Sequence, residues 1–203
     1  MIDFKKSLQI ALFSLVISGC SLQTTVPASS KYMLNVKIEG KAVANSSFSD
    51  KVIRVGQMES SAILNTRSIY YSVDEGRSYS YTKARWMEAV PKQLTNLMML
   101  SVTKTTIFKD VIPFRSLAKN DLILESSLYT FSQTIHEDGK STLKLAVKVR
   151  LVEQYSRKII VSKLFEYQKD EVMGDSEGAT KGYDELSMKL LEDINRWLEE
   201  SCQ

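Results

Sequence analysis

Apolar and polar residues alternate most regularly between positions 121 and 170. Leu143, Leu145, Val147, Val149 and Leu151 interleave with Lys144, Ala146, Lys148 and Arg150, the period of a strand with one dry face and one wet one. The run before it, 122–135, reaches it through His136-Glu137-Asp138-Gly139-Lys140, in which Asp-Gly is the strongest short hairpin signal. The run after it, 159–167, follows a polar tip of hairpin length at Tyr155-Ser156-Arg157-Lys158. The pattern predicts a three-stranded antiparallel meander.

Upstream, Tyr32, Leu34, Val36 and Ile38 fall on one side of the run 31–38, with Lys31, Asn35 and Lys37 on the other, which predicts a half-buried strand. After a polar interruption at 45–50, the runs 52–58, carrying Ile53 and Val55, and 68–73 predict two more strands, the second ending in a turn at Asp74-Glu75-Gly76. Between 82 and 103 the period changes: Trp86, Val90, Leu94, Leu97, Met98 and Ser101 recur at three- and four-residue steps, one apolar stripe along a helix. Pro91 leaves two readings, a helix kinked at that point or one that starts near Val90 with Pro91 at its first position. Met58, Met87, Met98 and Met99 fit either core packing or an adaptable lipid-facing surface. The helical period returns at Gly182, with Tyr183, Leu186, Leu190, Ile194 and Trp197 in one stripe and Leu191 and Leu198 beside it. Asp175 and Ser176, in the Gly- and acid-rich stretch before it, read as the N-cap region of that helix. The expectation is an α+β fold: a mainly antiparallel sheet with two principal helices packed on one face.

Composition adds the setting. The chain has 203 residues, 27 Lys plus Arg, 24 Asp plus Glu and 43% apolar side chains, enough for one compact domain with a sizeable core. A net charge of +3 with interspersed signs excludes the basic footprint of a nucleic-acid binder. Lys5-Lys6, the apolar stretch 7–18 and Gly19-Cys20 form a positive n-region, a short h-region and a small-residue cleavage site, the layout of a secretory signal. An apolar run of about 11 residues rises only about 17 Å as a helix, whereas a membrane span needs about 20.

Ile17-Ser18-Gly19-Cys20 resembles a bacterial lipobox. That resemblance implies removal of residues 1–19, with Ile17, Ser18 and Gly19 read by the lipoprotein signal peptidase, and lipid attached to Cys20. It also implies, from Ser21 at the second mature position, transfer to the outer membrane with the domain facing the periplasm. Cleavage leaves 184 residues. Residues 20–30 form the lipidated Cys and a polar tether; ten extended residues reach about 33–36 Å. Residues 31–203 are the single domain. With Cys20 lipidated, Cys202 is an odd thiol next to the C-terminus, either inert or paired with a partner protein.

A second resemblance lies in the middle of the chain. Ile53-x-Val55, Ile63-Leu64, Arg67-Ser68-Ile69-Tyr70, Tyr81 and Arg85-Trp86, together with the 31–38 strand, the meander and the last helix, are similar to the ABC-type transport auxiliary lipoprotein family. The resemblance implies a non-catalytic accessory of an ABC transporter with an MCE-domain protein, moving phospholipid or another apolar solute. A lipid carrier in its own right and a structural or antigenic envelope lipoprotein are the alternatives. Arg67, Arg85 and Trp86 are candidate partner contacts, since Arg and Trp are enriched at interface hot spots; the alternative places Trp86 in the core and Arg85 in solvent.

Groups for chemistry are few. His136 is the single histidine, beside Glu137 and Asp138 in a hairpin loop, where consecutive side chains diverge and no second histidine completes a transition-metal shell. No Gly-x-Ser-x-Gly elbow and no phosphate-cradling glycine loop is present. Residues 173–178 resemble a calcium loop but lack its ligand spacing. The sequence therefore points to no enzyme, no metal and no cofactor.

Overall fold

Three long strands form the spine of the structure, as the alternating pattern predicts. The computed structural model describes residues 29–40, 46–74 and 76–201. In chain order the elements are β1 (Ser30–Tyr32), β2 (Val52–Val55), β3 (Glu59–Ser60), β4 (Ser68–Asp74), β5 (Arg77–Trp86), α1 (Val90–Thr103), β6 (Asp110–Pro113), β7 (Leu122–Ile135), β8 (Lys140–Glu153), β9 (Ile159–Met173) and α2 (Ser176–Ser201).

β7 and β8 pair antiparallel from Leu122 opposite Glu153 to Ile135 opposite Ser141, and β8 and β9 from Lys140 opposite Met173 to Val152 opposite Ile159. Gly139 holds φ +79° in the first hairpin, a region open to glycine at little cost, which is why Asp-Gly marks this turn. On its other edge β7 takes three successive parallel partners: β2 at Leu122, β3 at Ser127 and β4 at Thr134. β6 extends the sheet beyond β2 in parallel, while β5 pairs antiparallel with β4 and carries β1 in parallel at the far edge.

The sheet is thus mixed rather than purely antiparallel: its long ladders are antiparallel as expected, and parallel pairings join them. Each parallel contact is brief, from one to four register pairs, which no local pattern announces.

Two other expectations change. The stripe assigned to one helix over 82–103 belongs to two elements: β5 ends at Trp86 and α1 starts at Val90, with Pro91 in its first turn. Ala84 and Trp86 point inward at strand period, Val90, Leu94 and Met98 at helical period, and the four-residue steps joining them mimic a single helix. The reading that starts the helix at Val90 is the one the structure adopts, because proline's missing amide costs nothing in a first turn.

The run 31–38 alternates in burial as expected, but only Ser30–Tyr32 pairs with a strand. Beyond it the helices supply the partners. The Leu34 amide donates to Gln93 Oε1 at 2.8 Å, the Asn35 amide to Asp184 Oδ1 at 2.8 Å, and Lys104 Nζ donates to the Ile38 carbonyl at 2.7 Å.

α2 lies over β9 and the dry face of β8, where Leu143, Leu145, Val147, Val149 and Leu151 are all at most 1% exposed, and α1 lies beside it over β2 and β6. Trp197 of α2 meets Phe165 of β9 edge-on at 5.9 Å, and Tyr167 donates to Asp193 Oδ2 at 2.8 Å. The helices touch through Asn195 Nδ2, which donates to Ser101 Oγ at 2.8 Å. Asp175 caps α2 as its position suggests, its Oδ1 accepting from the Gly178 amide at 2.7 Å. Every core residue described lies between Leu34 and Leu198.

At the start of α2 the backbones come very close. A Cβ on Gly174 would lie 2.5 Å from the Gly139 carbonyl oxygen, and the same glycine's amide donates to that oxygen at 2.9 Å. A hairpin backbone cannot swing aside as a side-chain tip can. Gly174→Ala should therefore destabilise the domain by about 1–3 kcal/mol, the range for overpacking. Denaturant melts check it, with Gly40→Ala, whose Cβ would sit at 3.4 Å or more from its neighbours, as the tolerated control.

Candidate functional site

The lipobox residues Ile17, Ser18, Gly19 and Cys20, and the odd thiol Cys202, lie outside the described residues. The other expected contacts fall where β1, β4 and β5 meet. Arg67 and Arg85 are both exposed. Ser68 faces Arg85 across β4 and β5, and the Trp86 amide donates to the Arg67 carbonyl at 2.7 Å, so the two arginines sit on adjoining turns of chain. Lys31 of β1 is the register partner of Arg85 on the other side. Three cations therefore gather at one corner of the sheet.

Trp86 does not join them. It is 2% exposed, with its ring edge-on to Phe131 at 6.0 Å and tilted to Tyr183 at 6.4 Å. The proposal of Trp86 as a partner contact is corrected by its burial: the strand period turns Arg85 out and Trp86 in.

Behind this corner lies a polar group that the sequence did not flag. Gln133 is 1% exposed; its Oε1 accepts from Tyr81 at 3.0 Å and its Nε2 donates to Ser141 Oγ at 3.0 Å. Burial pushes the Tyr81 phenol up to about 12, with the nearby Asp175 carboxylate adding to it. Tyr183 stacks on Phe131 at 3.7 Å and is 1% exposed, and its hydroxyl finds no hydrogen-bond partner among the described residues. Burial holds that phenol protonated far above the usual tyrosine range. The signal for Gln133 was available: on β7 it shares the inward parity of Phe131, where an apolar residue would be the default.

His136, Thr142 and Asp170 form a row on the surface. His136 Nε2 lies 2.9 Å from Thr142 Oγ1, which donates to Asp170 Oδ1 at 2.7 Å. The Thr142 and Gln168 hydrogen bonds hold the Asp170 carboxyl below the usual carboxylate range. An ionised carboxylate can only accept, so Thr142 gives its single proton to Asp170 and His136 must donate to Thr142. The histidine is then no base toward that hydroxyl. Among the described residues no group of three or more His, Cys, Asp or Glu is placed to hold a metal ion.

What the surface offers is room for binding. A groove of about 500 Å³ separates the 36–40 segment from α1 and α2, lined among others by Val36, Met188, Asn195 and Arg196. A slot of about 220 Å³ opens where β4 diverges from β7, ringed by Ile63, Tyr70, Tyr71 and Tyr129. A third groove, about 320 Å³, runs between α1 and β6, with Val55, Met99, Pro113 and Phe114 on its walls and Lys92 and Arg115 on its rim. Among the described residues no helix is long and apolar enough to cross a membrane.

A mixed sheet covered by two helices, with surface grooves and exposed cations, offers surfaces suited to binding and no assembled catalytic group among the described residues. The sequence model of the ABC-type transport auxiliary lipoprotein component family matches residues 32–195, and the chain belongs to that family. Among solved structures it is similar to protein XCC0632 from Xanthomonas campestris, of the DUF330 family, at 11% identity and a TM-score of 0.74, over 85% of this chain and 96% of that one. An uncharacterized protein is similar at 13% identity and a TM-score of 0.63, over 84% of this chain and 99% of that one. No curated protein matches the chain. Identities this low speak for the fold alone.

The placement of Trp86 and Tyr183 gives two opposite expectations. Trp86→Ala should cost about 3–5 kcal/mol through the cavity it leaves. Tyr183→Phe removes a buried hydroxyl without a partner and keeps the ring stack, so stability should be unchanged or higher. Urea unfolding of both variants beside Arg85→Ala, an exposed change expected within about 0.5 kcal/mol of wild type, checks the assignment.

Proposed function

We propose that the protein is a lipid-anchored, non-catalytic accessory component of an ABC transporter that works with an MCE-domain protein to move phospholipid or another apolar solute across the envelope. The observation that carries this reading is the family match over residues 32–195, nearly the whole described domain. Its members are transport auxiliary lipoproteins, which agrees with a membrane-anchored envelope location.

The lipobox at Ile17-Ser18-Gly19-Cys20 supplies the anchor in this reading. Acyl chains on Cys20 hold it in the leaflet, since each buried methylene contributes about 0.8 kcal/mol and two chains give stable residence. Ser21 after the cysteine favours the outer membrane with the domain facing the periplasm. The exposed Arg67 and Arg85 are the first candidates for contact with the MCE-domain partner.

A carrier reading is favoured by one observation, the α1–β6 groove of about 320 Å³ with its apolar walls. That volume is at the low end of small-molecule sites.

The experiments separate the two. Cys20→Ala should abolish acylation, seen by intact mass, and release the protein from the membrane fraction; an unmodified, uncleaved N-terminus in native material would refute the anchor. Detergent pull-down of the acylated protein should recover an MCE-domain protein. Phospholipid found by mass spectrometry in the purified unacylated domain would favour the carrier instead.

A further inference from the structure

Two neighbouring tips carry an unusual surface: the loop that runs back from the end of β6 to the start of β7, and the β8–β9 hairpin beside the start of β7. One is the loop after β6, Phe114-Arg115-Ser116-Leu117-Ala118-Lys119; the other is the β8–β9 hairpin, from Gln154 to Ile160. They are tied together, since the Gln154 amide donates to the Asp121 carbonyl at 2.8 Å and Asn120 Nδ2 donates to Gln154 Oε1 at 3.1 Å.

Each tip pairs exposed apolar side chains with cations. Leu117 is 102% exposed, Tyr155 75% and Ile159 57%, with Phe114 and Ile160 also among the exposed large apolar residues. Arg115 and Lys119 flank the first set, Arg157 and Lys158 the second, and none of the four forms an ion pair with a described acid. The acids at this end of β7 have partners of their own: Asp121 Oδ2 accepts from the Val52 amide at 2.9 Å, Glu153 Oε2 from the Ser156 amide at 2.5 Å and Asp110 Oδ1 from the Val111 amide at 2.8 Å. Exposed Asp50 pairs with Lys51 at 3.3 Å.

These tips are held, not loose. Arg54 reaches from β2 and gathers the first loop by its carbonyls, donating to Phe114 at 3.1 Å, Ser116 at 2.7 Å and Ala118 at 2.8 Å, while its Nε donates to Asn120 Oδ1 at 2.9 Å. The hairpin is closed by Glu153 and Lys158, whose backbone groups meet at 2.9 Å, with Arg157 in the left-handed region at φ +57°. A half-buried arginine fork fixing the backbone of a loop whose aliphatic tip stands wholly in water gains nothing for the core. It fits a surface kept in shape to meet something.

We propose that these two tips dock on an anionic phospholipid leaflet, with Leu117, Tyr155 and Ile159 entering the headgroup boundary and Arg115, Lys119, Arg157 and Lys158 meeting lipid phosphates. The chemistry matches that surface. Aliphatic and tyrosine side chains fit the boundary between headgroups and acyl chains, and long cationic side chains lay their stems on apolar surface while the charge stays with phosphate. This surface does not depend on Cys20, although in an anchored protein it sets how the domain lies.

The test uses the chain from Ser21 onward, which carries no acyl group and contains every core residue described. Flotation is measured with vesicles of phosphatidylethanolamine mixed with phosphatidylglycerol, and with phosphatidylcholine alone. Wild type should float with the first and not the second, and salt should weaken it. Leu117→Ser, at a side chain without packing to lose, should reduce partition by about tenfold or more. The Arg115→Glu, Lys119→Glu pair should do the same. Met173→Ser, 63% exposed at the other end of β9, should float as wild type does. Wild type that stays in solution, a Leu117→Ser protein that floats unchanged, or equal flotation on phosphatidylcholine overturns the proposal. A protein whose native N-terminus proves unacylated leaves it standing, so the two readings fail separately.

Discussion

β7 is paired with β8 over its 14 residues and takes three short partners in turn along its other edge, and the rest of the sheet depends on that double pairing. On one side β8 and then β9 repeat its length. On the other, segments of four, two and seven residues take their places in turn along it. Strands this short have little stability alone. Only a long template already fixed by its antiparallel partner can order them, and only in parallel, because the chain from 52 to 74 runs beside β7 in the same direction before turning back as β5. The mixed character of the sheet follows from this one arrangement.

The helices then close one face, leaving the other to solvent. α2 is brought down onto the hairpin ends by backbone contact, Gly174 against Gly139, and its first turn sits over the Gln133 network. That network joins β5, β7, β8 and the start of α2 through hydrogen bonds that satisfy the buried amide. Its geometry is specific to one register, since shifting β7 by a residue would turn Gln133 to solvent and bury its neighbours. The orphan Tyr183 hydroxyl beside it shows that the same corner tolerates a small cost where the ring stack with Phe131 is kept.

The long strands and both helix cores were legible in the sequence because burial on one face writes a period of two or 3.6 into 14 or more residues. β3, with two residues, and β1, with three, write none. The Trp86 to Met98 stripe misled because its four-residue steps continue across a strand end, and only Pro91 marks the break. Among site residues, the pairing of Arg67 with Arg85 needed the β4–β5 register, which no local pattern shows. Leu117 lies in a stretch without periodicity, and Arg54 acts on backbone carbonyls, which carry no residue identity to be read.

The tether and the tips set a geometric relation. Trp86 lies at the level of Phe131, where β1 enters the sheet, and Phe131 stands nine residues along β7 from Leu122 at the tip end. At about 3.4 Å per residue that is about 30 Å, close to the 33–36 Å that ten extended residues reach. In the proposed anchored protein, the ten residues after Cys20 would therefore let the tips reach the leaflet that holds the lipid only near the limit of their extended length. A domain lifted off that leaflet would turn the same tips, with Arg115, Lys119, Arg157 and Lys158, toward whatever lies across the gap. On the proposed reading, the number of residues between Cys20 and β1, more than any side chain, would set which membrane the tips address.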